Sequence, residues 1–377
     1  MRSPRRAARL AAWLTVASLA LAGCEHGAPG VVELPGNIGP FRATLPRRLT
    51  FHDGDDRAPS VAGNVLVFAR QGDAYANRGY APTGREQCIA FLPLEGGTLQ
   101  QVLCPHDLIV PPDTFVHTWF EPALSPDGSR IAFMWQRGAN VSALGYYDAV
   151  LTVAPVDRPS DAARTRVLVN YAEAGYEPRR ADLATRINWV DASHLRFLAT
   201  FERIFKVKGG GAERVTDTLY EPLAVMEVDV GTGATRVVPG ADSALAYTPA
   251  PDGGIWLVRA SDSAAVLHLD PATGARSLVG RFSSSVLDLI AVDGGPVAVV
   301  FPLLDTAAPE GLPRPIVRGG AAVERLDPAT GLLLRMTGFT GPVVRLAAAG
   351  GRRFVAEVER ANVPFGVPSD LWLLEVP

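Results

Sequence analysis

With 377 residues, 47% of them hydrophobic, the chain is long and apolar enough to bury the core of one large domain. Its 36 basic residues are outnumbered by 39 acidic ones, a formal charge of −3. Setting aside the first 23 residues, which hold four arginines and no acid, leaves 32 against 39, or −7, a balance that disfavours nucleic-acid binding.

The chain begins with Arg2, Arg5, Arg6 and Arg9 ahead of an apolar run from Leu10 to Ala22, the pattern of a secretory signal and too short to span a membrane stably. Leu21-Ala22-Gly23-Cys24 follows and resembles the lipobox of bacterial lipoproteins, which implies cleavage after residue 23 and a lipid on Cys24. Glu25 stands where that resemblance would place an inner-membrane retention Asp, so the outer membrane is the expected address. Residues 24–44 carry Gly27, Pro29, Gly30, Pro35, Gly36, Gly39 and Pro40 and read as a flexible tether.

From residue 45 onward a strand, a tight turn and a second apolar strand recur six times, with turns at Gly63, Asp127, Asp191, Asp252, Asp293 and Gly350. Ser125-Pro126-Asp127-Gly128 leading into Ile131-Ala132-Phe133 is the clearest copy, because Pro and Asp favour the first positions of a turn and Gly tolerates positive φ. A third strand follows each turn: Ile89–Glu95, Val150–Asp157, Leu223–Asp229, Val266–Asp270, Val323–Asp327 and Asp370–Pro377. Three of these run into Gly231-Thr232-Gly233, Asp270–Gly274 and Asp327–Gly331, each opening a fourth strand. Four-stranded meanders at this spacing predict an all-β propeller of six blades over 45–377, seven being the alternative count. The sixth unit lacks its fourth strand, while Pro46-Arg47-Arg48-Leu49-Thr50-Phe51 has the pattern of one without a partner. Pairing the two would close the ring and remove its edges.

Arg48-Leu49-Thr50, a short acidic stretch, then Ser-Pro-Asp-Gly and an Ile-Ala-Phe strand together resemble the TolB-like six-bladed propeller family. The full motif stands in the second unit, and Ala250-Pro251-Asp252-Gly253-Gly254 is a near copy. The resemblance implies a role in an envelope complex. The expected lipid anchor, and a reading that finds no preceding α/β domain, would set this chain apart from the family's soluble form.

Cys88 and Cys104 flank a hairpin centred on Gly96 and face each other across it, so a disulfide is expected in an exported chain; two buried free thiols are the other reading. There is no Gly-x-Ser-x-Gly elbow, no His-Glu-x-x-His, no P-loop and no Cys-x-x-Cys, and the six histidines are scattered singly. Neither a cofactor nor a metal site is therefore expected, and His52-Asp53-Gly54-Asp55-Asp56 reads as a solvated turn.

Two groups of residues are candidates for function. Arg186, Tyr247, Asp288 and Arg345 each lie five residues before a turn in four different units, which places them toward a central channel, either as a polar ligand site or as bonds between blades. The links from second to third strand, including Glu202–Asp217 with Phe205 and Lys206, share one face with the inter-unit connections, including the one that carries Tyr176, Arg179 and Arg180. Loops held by a rigid scaffold commonly bind, and these residue types are enriched at interfaces. The expectation is a membrane-anchored envelope binding protein with a protein or peptidoglycan-associated partner and no catalysis; a lyase or hydrolase at the channel mouth is the rival.

Overall fold

The computed structural model describes residues 38–42, 44–51, 54–71, 87–104, 115–139, 147–158, 166–170, 182–209, 212–301, 322–337, 343–360 and 369–377. Two compact units divide the chain at Gly39/Pro40, and the second holds six antiparallel blades. Strand β1 (Ile38–Arg42) falls within the last part of the stretch that composition reads as a tether, and β2 (Thr44–Arg48) begins at its last residue.

Blade 1 is β3 (Asp55–Ala62), β4 (Val65–Gln71), β5 (Gln87–Pro93) and β6 (Gln101–Leu103). Blade 2 is β7 (Phe115–Leu124), β8 (Arg130–Ala139), β9 (Tyr147–Pro155) and β10 (Arg166–Asn170). Blade 3 is β11 (Asp182–Trp189), β12 (His194–Gly209), β13 (Ala212–Asp229) and β14 (Thr235–Asp242). Blade 4 is β15 (Ala244–Pro249), β16 (Ile255–Arg259), β17 (Asp262–Leu269) and β18 (Arg276–Arg281). Blade 5 comprises β19 (Val286–Val292), β20 (Gly295–Val300), β21 (Ala322–Leu326) and β22 (Leu333–Thr337), with β1 as a fifth strand at its edge. Blade 6 comprises β23 (Val343–Ala348), β24 (Arg353–Glu359) and β25 (Ser369–Glu375), completed by β2.

The first strand of every blade is innermost: β7 contacts β3 and β11, β15 contacts β19, β19 contacts β23, and β23 returns to β3. All six turns expected between first and second strands fall there. They use positive φ at Gly63, Gly128, Gly253, Gly294 and Gly350, which a side chain would oppose. Ring closure is as the chain ends imply. Thr44 pairs with Glu375 and Arg48 with Trp372, the Leu49 amide donates to the Leu371 carbonyl at 2.7 Å, and the Thr50 hydroxyl accepts from the Leu371 amide at 3.0 Å. Phe51 lies outside the strand, 72% exposed beneath the Arg48 guanidinium, because the buried contacts end at Thr50.

The core lies between blades, where the apolar faces of neighbouring sheets meet. Leu49, Phe68, Leu92, Val355 and Leu373 join blades 1 and 6, while Ile89, Trp119, Ile131 and Phe133 join blades 1 and 2. Cys88 and Cys104, both buried, form the expected disulfide, set by the pairing of Ile89 with Leu103 one step away.

Blade 3 departs from the loop expected over Glu202–Asp217. That stretch is paired, with Glu202 opposite Tyr220, Phe205 opposite Asp217 and Gly209 opposite Ala212. Its β-branched, aromatic and charged residues suit a ladder, which runs out to the Gly209–Ala212 pair.

Candidate functional site

Each innermost strand breaks register with its neighbour once, and the breaks are of two kinds. In blades 1 to 3 two residues face one: Ala58-Pro59, Glu121-Pro122 and Arg186-Ile187. The first of each pair is left-handed, with φ of 51°, 55° and 56°. In blades 4 to 6 a single residue is passed over, at 245, 287 and 344. A bulge re-aims the side chains beside it, and non-glycine residues at positive φ persist only where their surroundings hold them.

What holds them is a ring of charges across the channel. The Arg345 guanidinium forks onto both carboxylate oxygens of Glu121, joining blade 6 to blade 2 past blade 1. Arg186 Nη2 meets Asp288 Oδ1 at 2.8 Å, joining blade 3 to blade 5 past blade 4. Blade 4 enters through Tyr247, whose hydroxyl donates to the Arg186 carbonyl at 2.6 Å and accepts from Asn188 Nδ2 at 3.2 Å.

The carboxylates also accept backbone amides from the next blade. Glu121 Oε2 takes the Arg186 N–H at 2.8 Å, Asp288 Oδ2 takes that of Leu346 at 2.6 Å, and Glu357 Oε2, opposite Arg345 in the β23–β24 ladder, takes that of Ala58 at 2.8 Å. Three carboxylates therefore fasten blade 2 to 3, 5 to 6 and 6 to 1, each satisfying an inner-strand donor that would otherwise be orphaned.

Burial and pairing compete at each group. Burial pushes the Glu121 carboxyl up, yet the charge and hydrogen bonds of Arg345, with Arg186 beside it, hold it below the usual range. Arg345 rises for the complementary reason, Glu121 outweighing burial. Burial foremost, and then the like charge of Arg345, brings Arg186 down to about 10, still protonated at neutral pH. Asp288 and Tyr247 are both raised by burial. Glu357 is pushed up to about 7 by burial, against the pull of Arg345, the Ala58 N–H and Arg57 and with a further push from Asp55.

Against the ring lies a cavity of about 260 Å³. Every innermost strand contributes to it, from its ring residue or the one after it toward the tight turn, as in Arg186-Ile187-Asn188 and Leu289-Ile290-Ala291. The channel space thus lies between the ring and the face of the short first-to-second-strand turns, opposite to the loop-rich face.

Of the residues singled out from sequence, Arg186, Tyr247, Asp288 and Arg345 come together, joined to other blades. Phe205 and Lys206 lie in the paired hairpin of blade 3. Cys24, Tyr176, Arg179 and Arg180 lie outside the described residues. Counting back five residues passes over Glu121, because blade 2 places Ser125 and Pro126 before its turn Asp where blade 3 places Val190 alone. The Ala58-Pro59 and Glu121-Pro122 dipeptides at matching bulges are the signal that would find it. Glu357 is visible only as a charge inside the apolar run Phe354–Val358.

No protein-family model matches the chain, and no curated protein matches it. Among solved structures it is similar to a puromycin hydrolase S511A mutant complexed with PGG, at 14% identity and a TM-score of 0.47 over 82% of this chain and 50% of that one. It is also similar to the PQQ-bound form of aldose sugar dehydrogenase from Streptomyces coelicolor, at 12% and 0.48 over 90% and 100%. A third is the propeller domain of the trilobed protease from Pyrococcus furiosus, at 11% and 0.42 over 85% and 95%. The chain spans about half the length of the puromycin hydrolase structures.

Proposed function

We propose that this chain is a non-catalytic binding module of the cell envelope, held through a lipid on Cys24 at the periplasmic face of the outer membrane, which takes a protein partner on its loop-rich face. The observation that carries the reading is the β12–β13 hairpin. β11 pairs with β12 only as far as Phe201, and β14 pairs with β13 only as far as Ala224, yet β12 and β13 pair with each other out to Gly209 and Ala212. The ribbon from residue 202 outward is about 25 Å long at the usual strand rise, and among the described residues both its backbone edges are unpaired. A lone two-stranded ribbon is marginal in water, and open edges accept a partner strand. The channel supports a frame rather than a reaction centre, since Arg345 is closed on Glu121, Arg186 on Asp288, and Glu357 on the Ala58 amide.

The test replaces residues 203–220 with a two-residue turn and compares both forms in affinity capture from envelope extracts. Lys206 and Lys208, the chain's two lysines, direct amine cross-linkers to this ribbon. The expected result is loss of one specific captured protein with an unchanged melting temperature, and release of the Cys24→Ala chain from membranes. Undiminished capture by the shortened form contradicts the docking role, and membrane retention of the Cys24→Ala chain contradicts the anchor.

A further inference from the structure

We infer that the channel cavity is a binding site for a small uncharged polyhydroxylated molecule, about the size of one monosaccharide, which approaches from the tight-turn face. The size follows from the volume. About 260 Å³ is slightly below the range of drug-sized pockets, and holds about nine waters at roughly 30 Å³ each, or about a dozen covalently joined heavy atoms.

The chemistry follows from charge balance. Arg186 and Arg345 are matched by Glu121 and Asp288, and Glu357, opposite Arg345, adds no positive charge, so an anionic ligand meets no net positive field. A zwitterion would have to prise apart ion pairs already closed on each other, at the full penalty of stranding a buried charge. Uncommitted hydrogen-bonding capacity remains. Among the described residues Arg186 engages Asp288 through Nη2 alone, and its side chain keeps 18% exposure. Arg345 Nε is buried without a partner. Asn188 uses its amide nitrogen on the Arg186 carbonyl and the Tyr247 hydroxyl, leaving its amide oxygen free to accept. Ser60 and Thr248, both hydroxyl-bearing, line the same space. Donors and an acceptor around one space suit hydroxyls, which do both, and the apolar Ile290 gives the C–H face of a sugar ring a surface.

The experiment is titration calorimetry on the full-length chain in a sugar-free detergent, with D-glucose and N-acetylglucosamine against glycine and acetate at matched concentrations. Saturable binding of a neutral sugar is expected, with neither glycine nor acetate competing. Thr248→Val should weaken it at least tenfold. Ala348→Trp, at an exposed position on the cavity lining, should abolish it while the melting temperature holds. Asn188→Ala should also weaken binding, but it loosens Tyr247 and so weighs less than the plug. Absence of saturable binding by either sugar, binding that survives Ala348→Trp, or preference for acetate or glycine overturns the assignment.

Discussion

The acidic side chains of the turns and those of the channel do the same thing chemically, accepting hydrogen bonds as carboxylates, and differ in what they hold together. On the tight-turn face Asp191 caps the amides of Ser193 and His194, Asp270 those of Ala272 and the Thr273 hydroxyl, and Asp327 those of Ala329 and the Thr330 hydroxyl. Each reaches no more than three residues, sits in water, and is held below its ordinary pKa by those donors. In the channel Glu121 reaches Arg345 across 224 positions and Glu357 reaches Ala58 across 299. Water can replace the donors that a turn aspartate serves; nothing replaces a guanidinium inside the ring. The turns shape single hairpins, whereas the channel groups join blades to one another.

The contrast breaks most sharply at Arg345. Changing it to Met leaves Glu121 buried without its cation and should cost about 3–5 kcal/mol, read as a lower denaturation midpoint; a loss no larger than that of a surface substitution would make the ring an ornament of the fold.

Glu357 sharpens it through pH. Its carboxyl is raised from 4.5 to about 7 by burial, so between those values the folded chain keeps a proton that the unfolded chain releases. The stabilisation is complete below pH 4.5 and is lost as pH rises through 7, spanning about 3 kcal/mol from the size of the shift. Stability measured from pH 4.5 to 8 should carry this downward contribution, and Glu357→Gln, which keeps an acceptor for the Ala58 amide, should remove it. Identical pH profiles for the two chains would place the titration elsewhere.

The smallest effect is expected at the rim. Asp327→Ala removes the acceptor of one turn's donors in full solvent and should shift the melting temperature less than any channel substitution, checked by calorimetric scans side by side.

The two regions also differ in how far sequence reveals them. Turn aspartates announce themselves because their partners are two or three residues away, and the repeat of those turns, with the unpaired strands at both chain ends, yields the six blades and their closure. Arg186, Tyr247, Asp288 and Arg345 are legible as inward-facing positions through the same spacing. Which groups pair is not, since an ion pair across the channel skips a blade and leaves no periodic trace. Glu121 escapes because one extra residue in the blade 2 turn shifts the count, and Glu357 because it reaches the channel from a second strand. The paired ribbon of blade 3 reads as a loop for a related reason: charged residues fall at both odd and even positions of Glu202–Lys208, so the usual alternation of apolar and polar residues is missing from the sequence.

That the channel ring fastens distant blades is tested most directly by a double-mutant cycle on Glu121 and Arg345, with Glu121→Gln, Arg345→Met and the pair compared by equilibrium denaturation. A bonded pair should couple by about 2 kcal/mol or more, so that the double variant is far less impaired than the sum of the singles. Additivity within about 0.5 kcal/mol would contradict the account.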